Sequence, residues 1–253
     1  MKKFELTEEC IDFSGKKLFR IKALIDFYNV KSGDLGGYIE KENNLSHYGN
    51  AWVYGNAKVY GNAKVYGDAK VYGDATVRGN AEVYDNAEVY DNAEVCDNAE
   101  VYDNAIVYGN AEVSGNAEVC DNATVKGNAK VCNNAEVYGY AWVYDNATVR
   151  GNARVYGDAK VYGNAKVCGD AKVRSDAKVC GDADYTTIKG FGTMYDNATF
   201  FRREDKTVMV SCECFFGTLD EFREQVNKTR DGKIAKEYLM IADLTEMHFK
   251  EDE

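Results

Sequence analysis

Two side chains in this 253-residue chain, His47 and His248, could act as an imidazole base at neutral pH, and both lie outside its most regular segment. Imidazole suits that role because it is near half-protonated there. Eight cysteines are present, but none within the regular segment has a histidine neighbour in sequence, so a Cys–His nucleophile is not indicated. Cys212-x-Cys214 would place two thiols on one face of a strand. Without further Cys or His nearby they do not make a closed four-ligand zinc site, and no metal is expected. The glycines mark corners and do not form a loop opening a helix, so no phosphate cradle is read. What remains is aromatic and cationic. Tyr140, Trp142 and Tyr144 could stack on a planar ligand, and Arg150, Arg154 and Arg174 could pair with phosphate. Together they are the candidate residues for a small anionic ligand such as a nucleotide.

The element that must position these residues is a repeat. Alanine recurs at every sixth residue from Ala51 to Ala183, and valine at every sixth from Val53 to Val179. The unit reads as in Ala57-Lys58-Val59-Tyr60-Gly61-Asn62, and no insertion interrupts it. A strict short period marks a solenoid. Within Ala-x-Val-Tyr, alternate side chains point to opposite faces, so Ala and Val go in while x and Tyr go out. Gly-Asn, Gly-Asp or Asp-Asn supplies the bend. Small inward residues and equal sides suit a three-sided tube with 18 residues per coil. At about 4.8 Å per coil this makes roughly seven to eight coils and a rod roughly 35 Å long. Valine is expected at the corners of the core and alanine on its flats.

Eighteen residues per coil turns the outward positions into columns. One edge carries Tyr54, Tyr72, Tyr90, Tyr108, Lys126, Tyr144 and Tyr162; a second is also tyrosine-rich, and the third is polar. The flat beside the first ladder holds Trp52, Ile106 and Trp142. Exposed tryptophan and isoleucine on a rod imply contact with another chain. Trp52, Ile106, Trp142, Tyr54, Tyr72, Tyr90 and Tyr108 are therefore the expected homo-oligomer interface. Charge is banded: from Glu82 to Asp121 there is no Lys or Arg, and basic residues lie on both sides.

With no proline and a net charge of −11, the chain reads as a soluble acidic protein. No apolar run is long enough to span a membrane and no signal core is present, so a cytoplasmic location is expected. Free cysteines agree with a reducing compartment. Residues 1–48 read as an N-terminal capping segment, 49–186 as the repeat, and 187–253 as a small α+β cap or docking domain. In the first, Phe19, Ile21, Ala23, Ile25 and Phe27 alternate with more polar residues as a half-buried strand. In the last, strands are expected near Phe200–Arg203 and Val208–Cys212. A capping box at Thr218 should start a helix, and a second helix should run from about Ile234 to Phe249.

The unit resembles the hexapeptide repeat of left-handed parallel β-helix proteins: Val59 with Ala57 and Val65 with Ala63 match its aliphatic and small positions. The lead-in, Asp26 to Gly33 with Gly36-Gly37-Tyr38 and Asn44-Leu45-Ser46, is similar to that of bacterial YdcK-like proteins. The tail around Phe200, Cys212, Phe216-Gly217-Thr218 and Glu237-Tyr238-Leu239 resembles that of Firmicutes and prophage hexapeptide proteins. The resemblance implies a left hand and a parallel homotrimer. It also implies a comparison with hexapeptide acyltransferases, whose site between subunits uses a histidine base and protruding loops to hold acyl-CoA. Here only His47, at the start of the first coil, could be that base, and no loop protrudes. The reading is a non-catalytic homo-oligomeric binding or scaffold rod without cofactor, phage-associated and holding a small anionic ligand between subunits. The alternatives are an acyltransferase at the trimer interface, a purely structural spacer and an acidic nucleic-acid mimic. Nucleic acid is not an expected partner, because the basic bands break the acidic track.

Overall fold

Each hexad forms one short strand and one corner, as Lys58–Val59 and Lys64–Val65 illustrate. The computed structural model describes residues 2–175, 177–181, 184–191, 197–203, 205–212 and 215–250; Ala183 and Cys214 lie outside the described residues. Consecutive strands fall on three different sheets, so residue i pairs in parallel with residue i+18. The result is a three-walled parallel β-solenoid of about eight turns. The repeat alanines from Ala51 to Ala177 and every repeat valine are buried in one continuous core. Valine lies within the two-residue strands of the walls and not at the corners, whereas alanine is the first residue after each turn. The residue that closes a wall is thus the one paired in the ladder, Val89 on Val107 on Val125.

Corners need a left-handed backbone. Gly61 has φ +73° there, and a Cβ would come within 2.9 Å of the Gly79 carbonyl oxygen in the next coil. Asp97 and Asp121 take the same conformation at φ 63° and 58°. Their carboxylates accept from the Gly115 and Gly139 amides one coil on, at 3.2 and 3.0 Å, which offsets the strain. Asparagine follows at the corner, and its side chains form ladders up the rod, as in Asn80 to Asn98 at 2.9 Å and Asn98 to Asn116 at 3.0 Å.

The first open edge is sealed by extending a wall. Strand β1 (Phe4–Phe13), which the sequence reading did not anticipate, pairs antiparallel with β2 (Lys16–Ala23). Strand β2 pairs with β3 (Leu35–Ile39), and β3 joins the solenoid in parallel at Lys58–Val59. The strand expected around residues 19–27 ends at Ala23, and Leu18 takes the buried place assigned to Phe19 because the β2–β3 register shifts between Arg20 and Lys22. At the far end an antiparallel sheet (Tyr185–Lys189, Asn197–Arg202, Val208–Cys212, Phe215–Thr218) puts Phe201 and Met209 into the rod core. Helices α1 (Leu219–Thr229) and α2 (Gly232–Phe249) cover the sheet's other face around Phe200, Phe222 and Ile241. The Thr218 hydroxyl accepts from the Glu221 amide at 3.2 Å, and the Glu221 carboxylate accepts from the Thr218 amide at 2.8 Å, the expected capping box.

Candidate interaction surfaces

One wall carries the largest outward side chains. Its ladder runs Trp52, Lys70, Glu88, Ile106, Thr124, Trp142, Lys160, Lys178 in direct register. The Trp142 ring is 38% exposed. Beside it, Tyr140 occupies a corner position that is Asn or Asp in the other coils, and 62% of it faces solvent. That corner's amide ladder reaches from Asn104 to Asn122 at 3.5 Å and then meets Tyr140 in place of the next amide.

Tyrosines stack along two edges. Tyr72, Tyr90 and Tyr108 lie 4.6 and 4.8 Å apart, and Tyr144 and Tyr162 5.1 Å apart. Lys126 fills the gap in this column, with its ammonium 4.7 Å from the Trp142 ring centre, 5.4 Å from Tyr144 and 5.9 Å from Tyr108. On the second edge Tyr66, Tyr84 and Tyr102 stack, and Tyr66 and Tyr84 donate to Glu82 and Glu100 at 2.8 and 2.9 Å. Burial, then those bonds to carboxylates, hold both phenols well above their usual range. The two ladders are therefore structural as well as exposed at one edge.

Several candidate residues stand elsewhere. Trp52 shares the column of Trp142 but is 1% exposed, because Phe4 and Phe27 of the cap pack edge-on against it at 6.2 and 5.3 Å. It is cap core and cannot be an exposed contact. Tyr54 leaves its stack to donate to Asn29 at 2.9 Å. The arginines are not gathered beside Trp142. Arg154 lies on another wall, paired with Glu136 at 3.0 Å. Arg174 donates to the Phe215 carbonyl at 3.1 Å and sits 4.2 Å over the Phe216 ring, tying the C-terminal sheet to the rod. Arg150 lies on the third sheet, opposite Cys132 in the ladder. A single chain therefore does not assemble the expected aromatic–arginine site. His47 stacks on Phe4 at 4.3 Å, and its Nδ1 accepts from the Lys3 amide at 3.2 Å, so it is built into the cap.

Other features were not foreseen. Arg150 lines a cleft of about 350 Å³ with Lys166 and Tyr185, where the rod meets the C-terminal sheet. A second cavity of about 330 Å³ lies among Phe215, Phe222, Val226 and Tyr238. On α2, Met240, Leu244 and Met247 are exposed on one helical stripe, opposite the buried Tyr238, Ile241 and Phe249. The helical spacing of residues 240, 244 and 247 carries the signal for that stripe. Asp103, Cys120 and Asp121 bring ligand atoms within 4.8 Å of one another, but burial pushes the Cys120 thiol up to about 11 and keeps it protonated.

The family model of the YdcK β-solenoid repeat matches residues 141–157, a stretch that opens on the Trp142 strand. None of the curated proteins matches the chain.

Proposed function

We propose that this chain, a YdcK-like repeat β-solenoid, is a non-catalytic rod that works by binding or spacing and that it self-associates through the wall bearing Trp142. Tyr140 carries the reading. It stands where the other coils have Asn or Asp, one level beyond the Asn104–Asn122 step, and it gains little burial in return. With Trp142 next to it, the local cost makes sense if a second surface covers both rings. The non-catalytic part rests on residue chemistry. The repeat contains no histidine, and the one beside it, His47, has its Nδ1 committed to a backbone amide. The prophage-like tail favours a phage or mobile-element setting.

A small-anion reading stands second, moved from the tryptophan wall to the cleft at Arg150. Arg150 forms no ion pair among the described residues and shares the cleft with the Tyr185, Thr186 and Thr187 strand. Light scattering on wild type and Trp142→Glu tests the first reading: an oligomer that loses mass in the variant supports it, and a monomeric wild type rejects it. Calorimetry with nucleotides and acyl-CoA separates the others. Salt-sensitive nucleotide binding lost in Arg150→Glu supports the anion cleft, whereas acyl-CoA turnover lost in His47→Ala overturns the non-catalytic reading.

A further inference from the structure

We propose that two copies of the rod pack face to face and antiparallel through the tryptophan wall, about a two-fold axis at Thr124. The proposal rests on the self-association reading above and fixes the direction of the second copy. From Glu88 the outward residues of this wall read Glu88, Ile106, Thr124, Trp142, Lys160, one per coil and in register. Over these five levels the order, reversed about Thr124, complements itself; one level further out Lys70 would face Lys178 of the second copy. Ile106 meets Trp142 of the second copy, Glu88 meets its Lys160, and each contact occurs twice, as an isologous interface requires. An axis lying in the wall and across the rod keeps each corner against its own counterpart. Tyr108 then faces Tyr144 of the second copy on one edge, and Tyr140 faces its Asn104, the last step of the interrupted amide ladder, on the other.

The opposite direction is disfavoured by the same residues. A parallel pairing of this wall with itself at equal height sets Glu88 on Glu88 and Lys160 on Lys160, and like charges directly opposed repel. Lys160 forms no ion pair among the described residues, so it brings an uncommitted charge. Glu88 already takes Lys70 at 2.8 Å and the Tyr72 hydroxyl at 3.0 Å, which holds its carboxylate in place on the wall. Thr124 is buried between the larger Ile106 and Trp142 levels and leaves the axis free of bulk. Lys126 lies at the axis level and faces its own counterpart, a like-charge contact that each ammonium reduces by drawing back over rings of its own chain.

The size of the face sets the strength. Five strands about 4.8 Å apart and six residues of about 3.3 Å across give roughly 480 Å² per copy. Counted over both copies that is about 960 Å², below the range of stable specific interfaces and within that of weak, transient ones, so the dimer should be reversible and concentration-dependent.

The test is a charge swap read by sedimentation equilibrium, with circular-dichroism melting to confirm folding. Lys160→Glu sets Glu on Glu88 twice and should raise the dissociation constant at least about tenfold, as should Glu88→Lys. The double variant Glu88→Lys/Lys160→Glu should return to within about threefold of wild type. Within one chain these residues are four coils, about 19 Å, apart, so rescue cannot arise internally. Rescue supports the antiparallel pair. An oligomer that ignores Lys160→Glu, or a double variant weaker than either single one, overturns the antiparallel direction and leaves self-association standing. A wild type that is monomeric at every concentration overturns both.

Discussion

Replacing Tyr140 with Asn should leave the fold almost as stable as before and sharply weaken association. Two local terms oppose one another. The change restores an amide at the corner, allowing steps from Asn122 and to Asp158 like the 2.9–3.2 Å bonds of the uninterrupted ladders. Two exposed bonds of this kind contribute about 1 kcal/mol together. Against this, the Tyr140 ring is 62% exposed, so only about a third of roughly 200 Å² of side chain leaves contact. At about 25 cal/mol per Å² that is under about 2 kcal/mol, and Asn recovers part of it. The net change should therefore stay within about 1 kcal/mol, or about 2–4 °C in melting temperature. Melting is followed by circular dichroism at a dilution where the chain is monomeric, and association by sedimentation equilibrium. Association should fall at least about tenfold. A loss of more than about 2 kcal/mol with association intact would mean that Tyr140 serves its own corner, and the interface argument would fail.

Val107, fully buried in the middle of the rod, should cost about 2–3 kcal/mol when changed to Ala, and Val107→Asp should unfold the solenoid by burying an unpaired charge; denaturant melts check both. Stability should also change with pH above 8, and two groups act with opposite sign. Burial lowers the Lys3 ammonium to about 8, so from there to about 10.4 the unfolded chain holds more protons and stability rises with pH; Lys3→Met should abolish that rise. Tyr66, Tyr72 and Tyr84 have raised phenol values, so their contribution is complete below about 10 and is lost as pH climbs beyond it. A melting temperature still rising above pH 11 would contradict the burial of these hydroxyls.

Much of the rod could be read directly. A period of six with small inward residues closes a coil at 18, and that one number gives the tyrosine columns, the register of Glu88 on Ile106 and the placing of Trp142 beside Thr124 and Tyr144. The Thr218 box and the spacing of Tyr238 and Ile241 were equally local signals, and both helices follow them. Arg150, Arg154 and Arg174 are 4 and 20 residues apart, so the same 18-residue count scatters them over different walls and edges of one chain. Asn ladders were likewise available from the 18-residue offset.

What the sequence determined by itself is therefore whatever repeats. Contacts along the rod are between residues at a constant separation, so pattern alone specifies wall, edge and neighbour. What only the tertiary structure decided is what the two ends cover. Trp52 and Trp142 stand in the same column with the same Ala-Trp-Val context, yet Phe4 and Phe27 bury one, and the other stays open. Arg174 is likewise taken by Phe215 and Phe216, and His47 by Phe4 and the Lys3 amide. These contacts join residues 25 to 48 positions apart with no period behind them. They depend on how an irregular segment packs back on the rod, which no local signal encodes.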